Sequence, residues 1–185
     1  GGLDDVINSD LKIENLWMPK IQTNTKTFED VLDAVKNKGL KVTAPNKGDS
    51  FEIGKAKCEV MTDSILIKYN LNFSSIVIRL EFENNSFLFM GDAETANEKT
   101  RTWMKTDVLK VGHHGSNTSS SEDFLKQINP TYAVIMAGKN NSYGLPKQKI
   151  LDRLTKIGAK VYRTDEEGTI MMISNGNNIE VKENT

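Results

Sequence analysis

The chain has 185 residues, of which 37% are hydrophobic, and its 24 Lys+Arg against 25 Asp+Glu give a formal net charge of −1. That size and balance suit one globular domain with a buried core, and the lysines are too scattered to form a basic tract that would advertise nucleic acid. No run of about 18 apolar residues is present to span a membrane, and a single cysteine, Cys58, excludes an internal disulfide or a thiolate cluster.

In chain order, "LDDVIN" is a short helix and "IENLWM" a strand. "TFEDVLDAVKNKGL" sets Phe28, Val31, Leu32 and Val35 on one helical face and stops at Gly39, a natural helix end. Short strands follow at "LKVTA", "SFEIG" and "KCEVMT", with Cys58 as a small buried hydrophobe in the last. "SSIVIRLEFENNSFLFMGD" reads as two strands joined by a turn at Asn84-Asn85. After Asp92 the pattern predicts a helix over "ETANEKTRTWM", a strand at "DVLKV", and a helix in "SSSEDFLKQI" with Ser119 and Glu122 spaced as a capping box. "YAVIMAG" is a strand, "PKQKILDRLTKIG" a helix closing on Gly158, and "KVYRT" a strand. "GTIMMISNGNNIEVK" is a hairpin turning at Asn175-Gly176. The class is α/β, with antiparallel hairpins that a purely doubly wound sheet would not need.

Two segments share a design. "SFLFMGD" is an apolar strand ending in Gly and then Asp92, and "DVLKVGHH" is an apolar strand ending in Gly and then His113-His114, the only two histidines in the chain. Catalytic and ligand groups of α/β folds collect beyond the carboxyl ends of strands, and a glycine there lets the backbone turn sharply. A carboxylate and imidazoles brought to one rim suit zinc, manganese or iron. Taken singly, Gly-Asp is a common turn and adjacent histidines can be one packed and one exposed ring. Their coincidence at two strand ends is the stronger signal.

"SSIVIRLEFENNSFLFMGDAE", "DVLKVGHHGSNTSSSEDFL", "YAVIMAGKNNSYGLP" and "AKVYRTDEEGTI" together resemble the metallo-β-lactamase-like domain of the ComEC competence-protein family, from Gly1 to about Ser174. The resemblance implies an αββα sandwich with a metal site at one edge. It also implies a histidine-rich loop, H-x-H-x-D-H, followed by a glycine pair and a short helix. Gly1-Gly2-Leu3-Asp4-Asp5 resembles that glycine pair and helix, so the chain is expected to be a single domain, the C-terminal two-thirds or so of the family's, lacking the ligand loop and the first strands. On the same basis Asp92 bridges metals, one of His113 and His114 is a ligand and the other contacts substrate or shuttles a proton. His114 is favoured as the ligand, while both stay candidates. The family's Tyr-Gly-His-Pro reads Tyr143-Gly144-Leu145-Pro146 here, so the histidine function is lost or supplied differently. Asn141 and Tyr143 are candidates for substrate contact or for ordering their loop. Ser116 and the "NTSSS" run could offer hydroxyls and N–H groups to a phosphate, or serve as caps.

The implied activity is metal-dependent hydrolysis, of phosphodiesters in DNA, with two Zn2+ or Mn2+ ions in an intact domain. With two histidines and one well-placed aspartate, the chain as it stands is expected to bind metal weakly and to turn over little or nothing. An uncovered sheet edge is expected to promote self-association. The implied location is an extracytoplasmic lobe of a membrane protein, or secretion. Two rival readings are a degenerate, non-enzymatic module of the same fold that binds DNA or a protein, and a phosphoryl-switch domain with Asp92 as acceptor and Lys110 as its cation. The latter requires a fully parallel sheet.

Overall fold

The computed structural model describes residues 2–63 and 70–182. Gly1, half of the glycine pair singled out above, lies outside the described residues. Gly2 (φ 88°) caps helix α1 (Leu3–Asn8), and α2 (Lys26–Asn37) packs beside it through Ile7, Val31, Ala34 and Val35. Ala34 rather than Leu32 completes that stripe, and Leu32 stays exposed. Two-residue strands β1 (Leu16–Trp17) and β2 (Val42–Thr43) pair in parallel beside these helices.

Among the described residues, the largest sheet has seven strands in sequence order: β3 (Ser50–Ile53), β4 (Ala56–Val60), β5 (Ile78–Phe82), β6 (Asn85–Phe89), β7 (Val108–Lys110), β8 (Tyr132–Ile135) and β9 (Lys160–Arg163). The first four pair antiparallel and the last four, from β6 on, parallel. The parallel connections carry helices α3 (Thr95–Glu98), α4 (Glu122–Ile128) and α5 (Gln148–Lys156), as crossovers require. A one-turn helix α6 (Thr164–Glu167) and a hairpin of β10 (Met171–Ser174) and β11 (Ile179–Lys182) complete the chain. This mixed sheet removes the phosphoryl-switch reading, which needs every strand parallel.

The strands alternate as a half-buried sheet must. Leu88, Leu109, Ala133 and Ile135 face α4 and α5, and join Phe124, Leu125, Ile128, Ile150 and Leu154 in one buried cluster. The opposite face carries Phe87, Phe89, Val108, Lys110 and Val134. The hairpin partly covers it, leaving a cleft of about 250 Å³ bounded by Ile170 and Met172. Cys58 is buried, and desolvation raises its thiol pKa.

Three local expectations shift, each for a visible reason. The β5–β6 turn is Glu83-Asn84, because Phe82 pairs with Asn85 and Glu83 takes the left-handed conformation. The helix after Asp92 stops at Glu98. There the Trp103 indole donates to the Glu98 carbonyl (2.6 Å) and the Thr100 hydroxyl to that of Asn97 (2.7 Å), closing the turn. Ser121, not Ser119, caps α4. Ser119 is buried and donates to the carbonyls of Gly112 (2.7 Å) and Ser116 (3.1 Å), tying the histidine loop to the helix.

Candidate metal centre

Strand register brings the two polar strand ends together. Phe89 of β6 sits opposite Lys110 of β7, so Gly91-Asp92 and Gly112-His113-His114 leave the sheet side by side. The His113 N–H donates to the Gly91 carbonyl (3.1 Å), and so does Lys110 Nζ (2.7 Å). Lys110 is largely desolvated, which lowers its pKa, while the nearby charge of Asp92 pulls it back up.

The glycines are sterically required. A Cβ on Gly112 would lie 2.7 Å from the Ala93 carbonyl oxygen, and one on Gly115 (φ +77°) would lie 2.7 Å from Pro146 Cβ. Between them His113 (φ 46°) and His114 (φ 53°) both adopt left-handed backbone, an uncommon conformation for residues with side chains. Two successive residues held this way turn both imidazoles out of the strand line.

The rings then meet different partners. His114 Nε2 lies 3.3 Å from Asp92 Oδ1, and its Nδ1 lies 2.6 Å from the Met136 carbonyl oxygen. A carbonyl only accepts, so Nδ1 carries a proton, and in the neutral tautomer that this selects Nε2 turns a lone pair toward the carboxylate. Two acceptors face each other there, and a proton or a cation must join them. The 3.3 Å separation suits an ion pair and is also close to the roughly 3.4 Å that separates two donors on one tetrahedral ion.

His113 sits in a separate polar nest. Its Nδ1 is 3.1 Å from Glu94 Oε1, 3.1 Å from Thr118 Oγ1 and 3.5 Å from Asn72 Nδ2. Glu94 in turn accepts from Asn70 (2.8 Å), Asn72 (3.0 Å) and Thr118 (3.0 Å). Burial alone would raise the Glu94 carboxyl, but those hydrogen bonds and the neighbouring His113 bring it below its ordinary value. Glu94 went unsingled in the sequence although it stands two residues after Asp92. Asn70 and Asn72 carry no local signal at all.

The other candidates are less central. The Ser116 hydroxyl is 3.2 Å from that of Thr118. Asn141 spends its amide within its own loop, donating to the carbonyls of Gly138 (2.9 Å) and Leu145 (2.7 Å) and accepting from the Leu145 N–H (3.0 Å). Tyr143 is 78% exposed. Leu145 is half-buried beside Pro146, which backs Gly115. Among the described residues, Asp92 and His114 approach each other and no three of His, Cys, Asp and Glu converge on one point.

A large mixed sheet with helices in its parallel crossovers, and a carboxylate and an imidazole at adjoining strand ends, defines an α/β protein with a candidate site on one sheet rim. The profile described as "Metallo-beta-lactamase superfamily" matches residues 12–139, and the chain belongs to that superfamily. It is similar to ComE operon protein 3 of Bacillus subtilis, 36% identical over 163 residues, which are 86% of this chain and 21% of that protein. Recombination protein 2 of Haemophilus influenzae is 42% identical over 101 residues (54% of this chain, 13% of that protein). Competence protein ComA of Neisseria gonorrhoeae is 36% identical over 104 residues (54% and 15%). The chain thus spans about a fifth or less of these relatives' lengths. Among solved structures, a mutant of CmlA beta-hydroxylase superposes with a TM-score of 0.53 at 12% identity, over 80% of this chain and 38% of that one, a likeness of fold alone. No helix among the described residues is long and apolar enough to cross a membrane.

Proposed function

We propose that the chain carries one rim of a metal-dependent hydrolase site that acts on phosphodiesters, with DNA as its substrate. The observation that carries this reading is the 3.3 Å approach of His114 Nε2 to Asp92 Oδ1, a ligand-to-ligand spacing at the strand ends. Asp92 and His114 would hold the ion, with Met136 fixing the tautomer of His114 through its carbonyl. A divalent cation held there would supply hydroxide at neutral pH and Lewis acidity toward the scissile phosphoryl group. His113 stands beside the pair, its ring centre 6.3 Å from that of His114, and is the group that handles a proton at the substrate. Ser116 flanks it as a phosphate contact. Asn141 shapes the loop after β8 through the bonds given above, and Tyr143 is displayed to substrate. The DNA assignment draws on the competence and recombination proteins that this chain resembles.

The ligand count limits what these residues do alone. The 185 residues contain no H-x-H-x-D-H motif, so the remaining ligands of a zinc or manganese pair are proposed to lie outside them. The natural coding sequence, expressed with the residues that adjoin this chain, is expected to hydrolyse bis-p-nitrophenyl phosphate and single-stranded DNA with zinc or manganese. The chain by itself is expected to show little turnover. Robust turnover by the chain alone would overturn the division of the site. Absence of hydrolysis from an extended protein that carries the histidine cluster would favour the non-enzymatic, DNA-binding or partner-binding alternative.

Self-association belongs to the same reading. Phe89 and Met136 on the hairpin-covered side of the sheet are 42% and 51% exposed, and β3 and β9 are the outermost of the seven described strands. Sedimentation velocity is expected to show a dimer or larger at tens of micromolar; a single monomeric boundary would count against it.

A further inference from the structure

The nest around His113 is more elaborate than a loop needs. Its three polar atoms form a near-regular triangle: Nδ1 to Glu94 Oε1 is 3.1 Å, Nδ1 to Thr118 Oγ1 is 3.1 Å, and Thr118 Oγ1 to Glu94 Oε1 is 3.0 Å. A carboxylate accepts only. The Thr118 hydroxyl therefore spends its proton on Glu94 and turns a lone pair toward the ring. If Nδ1 were bare, three acceptors would crowd one point. A proton on Nδ1 satisfies both oxygens at once. The Asn72 amide is farther from Nδ1, at 3.5 Å, and its better bond goes to Glu94, at 3.0 Å.

We infer that Glu94 is a positioning residue that, with Thr118, holds His113 in the Nδ1–H tautomer, so that Nε2 is the only ring nitrogen offered to the substrate. Asn70 and Asn72 hold Glu94 in turn, each by one of its two oxygens. The Glu94 side chain is 12% exposed and the His113 side chain 26%, so the contact is sheltered while the ring keeps an open side. The two histidines thus reach the same tautomer by different means, His114 through the Met136 carbonyl and His113 through a carboxylate. The inference rests on the reading of His113 as the proton-handling group, but its test needs neither metal nor substrate.

The test is a long-range 1H–15N spectrum of the histidine rings at pH 8, recorded on this chain. Wild type is expected to show His113 with a protonated Nδ1 and a bare Nε2. Glu94→Gln is expected to move His113 toward the Nε2–H form that free histidine prefers, with His114 unchanged as an internal control. Thr118→Val should produce a smaller shift in the same direction, and it keeps the test open if Glu94→Gln does not fold. A residue that merely caps α3 would leave the tautomer alone. Wild-type His113 in the Nε2–H form, or an unaltered tautomer in Glu94→Gln, overturns the inference. Failure of hydrolysis in the extended protein, with the tautomer as expected, would sink the proposed function and leave the role of Glu94 standing.

Discussion

In a protein extended to carry the remaining ligands, His114→Ala is expected to weaken zinc binding by more than the ~10–100-fold that loss of an outer hydrogen-bond partner costs, measured by competition with a chromophoric chelator. His113→Ala is expected to change it by less than about tenfold, as for an outer group. The asymmetry follows from the partners of each ring. His114 Nδ1 is committed to the Met136 carbonyl, and its Nε2 lies 3.3 Å from Asp92 Oδ1. His113 meets Glu94 and Thr118 instead. Asp92→Asn should match His114→Ala, since an amide oxygen is a weaker ligand and its NH2 group would donate to the bare nitrogen. Equal losses from both histidine variants would show that the pair acts as one ligand set.

Gly112→Ala is expected to be among the most damaging single-methyl additions in the chain. The new Cβ would lie 2.7 Å from the Ala93 carbonyl, 3.4 Å from Ser119 Cβ and 3.5 Å from Met90 Cβ. The nearest atom is backbone, in the turn that follows Asp92, so relief requires moving the carboxylate or the histidine loop. Overpacking of this kind costs about 2–3 kcal/mol, or roughly 4–12 °C in Tm for a chain of this size. Gly138→Ala is the control, because its nearest neighbour is 3.9 Å away. Thermal unfolding by circular dichroism distinguishes them. Similar Tm values for the two variants would mean that the contact between the two strand ends is loose.

The parts of the site carried on contiguous stretches were legible in the sequence. Gly91-Asp92 and Gly112-His113-His114 each close an apolar strand, and a parallel pairing of β6 with β7 places them together. What escaped depends on contacts between distant segments. Glu94 draws Asn70 and Asn72 from 24 and 22 residues away, and no periodicity predicts that. Ser119 looked like a cap because its spacing to Glu122 is right, but burial under the histidine loop gave its hydroxyl carbonyl partners instead. The helix after Asp92 had good propensity, yet Thr100 and Trp103 captured its last carbonyls and ended it. The strands were easier, because alternation such as Phe87-Leu88-Phe89 reports burial directly.

One cation shared by a carboxylate and a ring nitrogen is the centre of the proposed site. Anomalous diffraction at the zinc edge, from crystals of this chain grown with zinc, tests it directly. The expected result is a metal peak about 2.0–2.2 Å from both Asp92 Oδ1 and His114 Nε2. A peak bound elsewhere, or Asp92 and His114 drawn together to about 2.8 Å with no metal between them, would contradict it.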